Sequence, residues 1–179
     1  MRHALVLVSV LVSTLSPLSA RAGRIIVHHD EWPLSTTGFD LAPTMTQYAR
    51  NVAAFFTGGG PGRFLVYTTN FGLNNTAVSN AMTGAGHQWI VDPAAPFTVA
   101  NLLTYDAVFL AGSAGNTQIL IDYVNAGGNV YIAGGTGFIN EPAVFNPFLN
   151  TFGLSYGPNY NGVSGEFSIG TPHPLFVGV

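Results

Sequence analysis

Residues 105–137 read YDAVFLAGSAGNTQILIDYVNAGGNVYIAGGTG: one apolar run, an amphipathic stretch, and a second apolar run, each closed by glycine. Residues 106–111 end at Gly112, and residues 129–133 end at Gly134 and Gly135, the pattern of short strands buried on both faces. Between them Ile119, Leu120, Tyr123 and Val124 fall on one helical face, while Gln118, Asp122 and Asn125 fall on the other. Gly127 is placed to take the left-handed conformation after the last turn. Strand, covering helix and strand make one parallel crossover.

The same alternation extends to both sides. Residues 24–29 (RIIVHH) read as a first strand that runs into the polar turn Asp30-Glu31-Trp32-Pro33. Met45, Tyr48, Ala49, Val52, Phe55 and Phe56 recur at helical spacing behind Thr44 and Gln47, which fit a capping box, and residues 58–62 stop that helix. Residues 64–68 are the second strand, Leu73, Val78, Ala81 and Met82 mark a helix ending at Gly84, and residues 87–91 are the third strand. Thr98 caps a short helix carrying Val99, Leu102 and Leu103. Asn146 and Pro147 suit the cap and first position of a last helix with Phe148, Leu149 and Phe152, ended by Gly153. Residues 156–168 are rich in Gly, Asn and Ser and read as loop and edge hairpin. Five strands alternating with amphipathic helices predict an α/β fold: a three-layer, doubly wound, mostly parallel sheet of the flavodoxin-like kind in a single domain.

Composition bounds the rest. Residues 1–22 have the form of a secretion signal: Arg2, an apolar stretch over residues 4–12, and Ala20-Arg21-Ala22 as the A-x-A site, so cleavage is expected before Gly23. The remaining chain, residues 23–179, is long enough for one core without staples. It contains no cysteine and no lysine, so neither a disulfide nor a thiolate nucleophile is on offer. Arg24, Arg50 and Arg63 against eight acids leave that part at −5, which argues against nucleic acid and anionic membrane surfaces as partners. The mature chain carries no expected membrane span, and only 7% of all residues are charged, as suits an exported or cell-surface protein with a neutral polar exterior.

In such a sheet ligands bind beyond the carboxyl ends of the strands. That edge holds His28, His29, Asp30 and Glu31 after the first strand, Thr69 and Asn70 after the second, Asp92 after the third, Ser113 after the fourth, and Gly134, Gly135, Thr136 and Gly137 after the fifth. His28, Asp30, Glu31, Asn70, Ser113, Gly134, Gly135 and Thr136 form the candidate pocket. The run HHDE has the donors of a divalent-metal site. Period-two alternation opposes it, because His28 and His29 then face opposite sides of the sheet, and Asp30 or Glu31 serves better as a bond to the turn before Pro33. No metal and no cofactor is therefore expected.

The remaining polar features read as structure. Residues 58–62 resemble a phosphate loop in composition but follow a helix and precede a strand, at the wrong edge. His87 opens a strand, and His173 between Pro172 and Pro174 reads as a loop anchor. Asn74-Asn75-Thr76 is a glycosylation sequon that also caps the second long helix.

The runs YDAVFLAG and YVNAGGNVYIAGGTG, with TPHPLFVGV at residues 171–179, resemble the class I glutamine amidotransferase-like superfamily and its ThuA-like branch, where H-P-[ILV]-x-x-G-[LV] recurs. The resemblance implies the same α/β architecture and, in catalytic members, a nucleophile within G-x-C-x-G after the fifth strand. Here that place reads Ala133-Gly134-Gly135-Thr136-Gly137, with Gly135 where the nucleophile stands. Acyl transfer needs an attacking group, a base and oxyanion donors, and the first is missing. Thr136 lies one position on, where a strand-to-helix elbow points a side chain elsewhere. DEWPLSTTGF, NVAAFF, NFGL and AGGNVYIAGG also resemble exported bacterial proteins that carry a PEP-CTERM sorting tail, although residues 1–179 contain no V-P-E-P motif. The expectation is an exported, non-catalytic domain with a binding or structural role, whose partner is a small molecule or surface glycan. The alternative is a hydrolase of a carbohydrate or small polar substrate, using Asp30 or Glu31 with His28 as general acid and base.

Overall fold

A computed structural model describes residues 22–30, 32–134, 140–158 and 172–179. Strand β1 (Ile25–His28) leads into helices α1 (Thr36–Leu41) and α2 (Met45–Thr57). Then follow β2 (Arg63–Val66), α3 (Thr76–Thr83), β3 (Gln88–Val91), α4 (Val99–Leu102), β4 (Ala107–Ala111), α5 (Thr117–Asn125), β5 (Val130–Ala133) and α6 (Glu141–Leu149). Two 3-10 turns, Asn150–Phe152 and Pro174–Phe176, come after.

The five strands lie in the order β1-β5-β4-β2-β3, and every neighbouring pair is parallel. Strands β2 to β5 occupy the first four places of the flavodoxin-like order 2-1-3-4-5. The fifth place is taken by the N-terminal strand, which runs in register beside β5 from Ile25 opposite Val130 to His28 opposite Ala133.

Period-two alternation sorts the sheet into two cores. Ile26, Phe64, Val66, Ala107, Phe109, Ala111, Tyr131 and Ala133 face α2 and α3. Leu65, Val108, Leu110, Val130 and Ile132 face α4, α5 and α6. A three-layer α/β sandwich results, with both sheet faces covered, which is why β4 and β5 read as unbroken apolar runs. Phe109 anchors the first core: its ring lies 4.6 Å from Trp89, 4.9 Å from Tyr131 and 5.7 Å from Phe64. Such pairs each contribute about 0.5–1.5 kcal/mol beyond burial.

Local chemistry sets most helix ends. Asn75, Thr98 and Asn116 accept from the backbone N–H three residues on, at 3.0, 3.3 and 3.1 Å. Gly58 and Gly127 take φ of 74° and 99° after α2 and α5. The expected capping box at α2 does not form. Thr44 sits in helical conformation with no side-chain cap bond, and Gln47 Nε2 donates instead to Asn51 Oδ1 at 2.8 Å. Asn51 in turn donates to the carbonyls of Leu175 and Val177, tying the late 3-10 turn to α2.

The last helix begins at Glu141 rather than at Asn146. Glu141 and Pro142 supply the acid and the proline that favour a first turn. Asn146 has another use: its side chain accepts from Tyr156 N at 2.7 Å and donates to Tyr156 O at 3.0 Å. Pro147 lies inside the helix, which tightens into the 3-10 turn three residues later and stops at Gly153, φ 72°. Helix α1, capped by Ser35 Oγ accepting from Gly38 N at 3.2 Å, lies in a stretch whose sequence carries no long apolar period. The expected hairpin at residues 156–168 falls largely outside the described residues. Among the described residues no helix is long and apolar enough to cross a membrane.

Candidate functional site

The two cores fix where such a sheet is expected to offer a ligand crevice. The chain leaves β2 towards the first core and β4 towards the second, and these strands are neighbours, so their carboxyl ends form a topological switch point. It leaves β1 towards the first core and β5 towards the second, and they too are neighbours. The β2/β4 and β1/β5 switch points lie about 10 Å apart at ordinary strand spacing. They divide the predicted pocket. Asn70 and Ser113 belong to the β2/β4 crevice, whereas His28, Asp30 and Gly134 belong to the β1/β5 crevice. Glu31, Gly135 and Thr136 lie outside the described residues.

At β2/β4 the polar groups bond one another. Thr68 Oγ1 donates to Ala111 O at 2.8 Å and accepts from Asn70 N at 3.0 Å, while Asn70 Nδ2 donates to the same carbonyl at 3.4 Å. Ser113 Oγ accepts from Gly115 N at 3.2 Å and so shapes the turn into α5. Tyr67 and Phe97, with ring centres 4.8 Å apart, flank this end.

At β1/β5 the sheet separates the adjacent histidines, as alternation requires. His28 lies on the first core's face, its ring 5.4 Å from Tyr48 of α2 and 5.3 Å from Tyr131 of β5, and its Nε2 is hydrogen-bonded to the Tyr48 hydroxyl. His29 lies on the other side, its ring tilted against that of Tyr156 at 5.9 Å. Burial among these rings pulls the His28 imidazole down to about 4, although Asp30 opposes the shift. The ring is consequently neutral at pH 7. Burial likewise pushes the Tyr48 and Tyr131 hydroxyls above the ordinary phenol value. Tyr131 is fully buried, and its hydroxyl makes no hydrogen bond of ordinary geometry, although the Tyr48 oxygen is near enough to act on its ionisation.

Asp30 is a turn residue: its carboxylate accepts from Trp32 N at 2.9 Å. Across the crevice Tyr156 donates to His28 O at 2.7 Å, and burial followed by the nearby Glu141 charge raises its hydroxyl pKa. Glu141 is fully buried. A Cβ placed on Gly134 would meet Glu141 Cγ at 3.0 Å and the Tyr156 oxygen at 3.2 Å, so the floor of the fifth strand's corner is closely packed.

Sequence reasoning missed Tyr48, Tyr131, Tyr156 and Glu141. Tyr48 and Tyr131 occupy apolar positions of a helix and a strand pattern and read as core, while Tyr156 falls in the stretch read as loop and edge hairpin. The Glu141-Pro142 pair was the available signal for a helix start that carries its acid to this corner.

The other polar residues read as structural have structural bonds. His87 Nδ1 accepts from Gly62 N at 3.0 Å, and His173 Nδ1 accepts from Leu175 N at 3.3 Å. A shallow cavity of about 430 Å³ lies at the opposite, amino-terminal edge, lined by Arg24, Asn51, Phe55, Gly58, Gly59 and Pro174. Arg24 covers the Phe55 ring at 4.9 Å and donates to the Phe55 carbonyl, compensating the negative end of α2.

Comparison with known proteins adds no name: no family model, no curated protein and no solved structure matches the chain.

Proposed function

We propose that this is an exported domain built on an amidotransferase-like scaffold that works by binding or as structure outside the cytoplasm, without acyl-transfer chemistry. The observation that carries this reading is the engagement of His28. The strand-end histidine at the carboxyl edge packs against Tyr48 and Tyr131, is hydrogen-bonded to Tyr48 and is held at about 4, too low to take a proton effectively at neutral pH. The sequence supports the reading independently, since Gly135 occupies the position of the missing nucleophile.

The hydrolase alternative draws less support. Asp30 is tied to its own turn, and Asn70 with Ser113 sits at the other switch point, so these groups do not converge on one reacting atom. The −5 balance of residues 23–179 favours a neutral polar partner, a small molecule or a surface glycan, over a polyanion.

Native mass spectrometry with elemental analysis of the exported protein tests the reading. A co-purifying neutral ligand, or glycan retention on an array, is expected. A stoichiometric catalytic metal would contradict it.

A further inference from the structure

The segment just before β1 is seated in an unusual way. Gly23 N donates to Val124 O at 2.7 Å, and Val124 is the penultimate residue of α5, whose terminal carbonyls form the negative end of the helix. Gly127 N donates to the same oxygen at 3.0 Å, so the helix end already has its glycine turn and Gly23 is an additional donor from outside. The fit admits no side chain. A Cβ on Gly23 would lie 1.7 Å from Gly128 O and 2.5 Å from Gly128 C, both backbone atoms. Arg24 N then donates to Asn129 Oδ1 at 2.8 Å, which registers the segment before the first strand pair.

We propose that the Ala22–Gly23 bond is the maturation site of the chain, and that the α-ammonium released at Gly23 is a purpose-built cap on the carboxyl end of α5. The proposal rests on the export reading of residues 1–22. Hydrolysis by an export peptidase consumes one water; the Ala22 carboxylate departs with the leader and the Gly23 ammonium stays with the domain. The cut replaces a neutral amide N–H beside Val124 O with a charged donor, a change that favours the folded state near a helix's negative end. It also orders the events. A peptidase must grip the chain on both sides of the bond, and Gly23 seated on Gly128 with its N–H held by Val124 O is not free to be gripped, so the bond is cut while this segment is undocked.

Three measurements test this. The full chain is expressed with export, and the product's N-terminus is sequenced; Gly23 is expected, and any other first residue overturns the maturation site. The Gly23-starting domain is then melted beside the same domain acetylated at Gly23, which keeps the N–H and removes the charge. The acetylated form is expected to melt about 1–3 °C lower at low salt, with the gap closing in 1 M salt. Equal melting temperatures overturn the cap even where sequencing returns Gly23. Purified folded precursor should be cut at least about tenfold more slowly than urea-unfolded precursor, because cleavage follows the open population; equal rates overturn the order of events. Gly23→Ala is expected to lower the melting temperature far more than acetylation, through the clash with Gly128.

Discussion

His28 holds the clearest residue-scale consequence. An unfolded histidine titrates near 6.5 and the folded one near 4, so between those values the unfolded chain holds the extra proton. This contribution to stability is complete above about pH 6.5, falls as pH drops, and is fully lost below about pH 4, a total change of about 3 kcal/mol, of which about 2 kcal/mol falls between pH 7 and pH 4.5. Urea unfolding at pH 7 and pH 4.5 should show His28→Gln losing about that much less than the parent over the interval. An identical loss in both proteins contradicts the burial argument. The neighbouring tyrosines make a matched pair. Tyr48→Phe removes the bond to His28 and should cost about 1 kcal/mol, whereas Tyr131→Phe removes a buried hydroxyl that lacks an ordinary partner and should be neutral or slightly stabilising. Chemical denaturation of the two variants checks the contrast, which reverses if Tyr131 rather than Tyr48 carries the polar contact.

Among the elements, α2 and α3 separate a cap that the letters suggest from one that forms. Asn75 accepts from Val78 N at 3.0 Å and donates to Leu34 O at 2.8 Å, so Asn75→Ala should cost about 1–2 kcal/mol. Thr44 makes no cap bond, and Thr44→Ala should stay within about 0.5 kcal/mol. Melting the two variants side by side checks both figures. Where helical period, cap and glycine stop agree, as in α5 with Asn116 and Gly127, the element was readable from residues alone. Where two starts compete, as with Glu141-Pro142 and Asn146-Pro147, the decision belongs to tertiary structure, because Asn146 holds the backbone of Tyr156. Helix α1 escaped notice for the opposite reason: it is short, and only Gly38 in it is buried.

For the whole molecule, the apolar runs within residues 106–111 and 129–133 made strands covered on both faces legible from the residues alone. The place of β1 was not legible. Nothing in RIIVHH distinguishes pairing with β5 from pairing with β2, and yet that pairing makes β1/β5 a switch point and splits the candidate pocket. The edge could therefore be named from the sequence while the grouping along it could not. Among the described residues this edge is built of packed and mutually bonded groups, and the proposed function requires that it hold no reacting centre. The most direct measurement is an assay of the purified exported protein against amide, ester and glycoside substrates at neutral pH, alongside folded Thr136→Ala and Glu141→Gln variants. Turnover indistinguishable from buffer in all three proteins is the predicted result; sustained cleavage by the parent that either substitution abolishes would contradict the account.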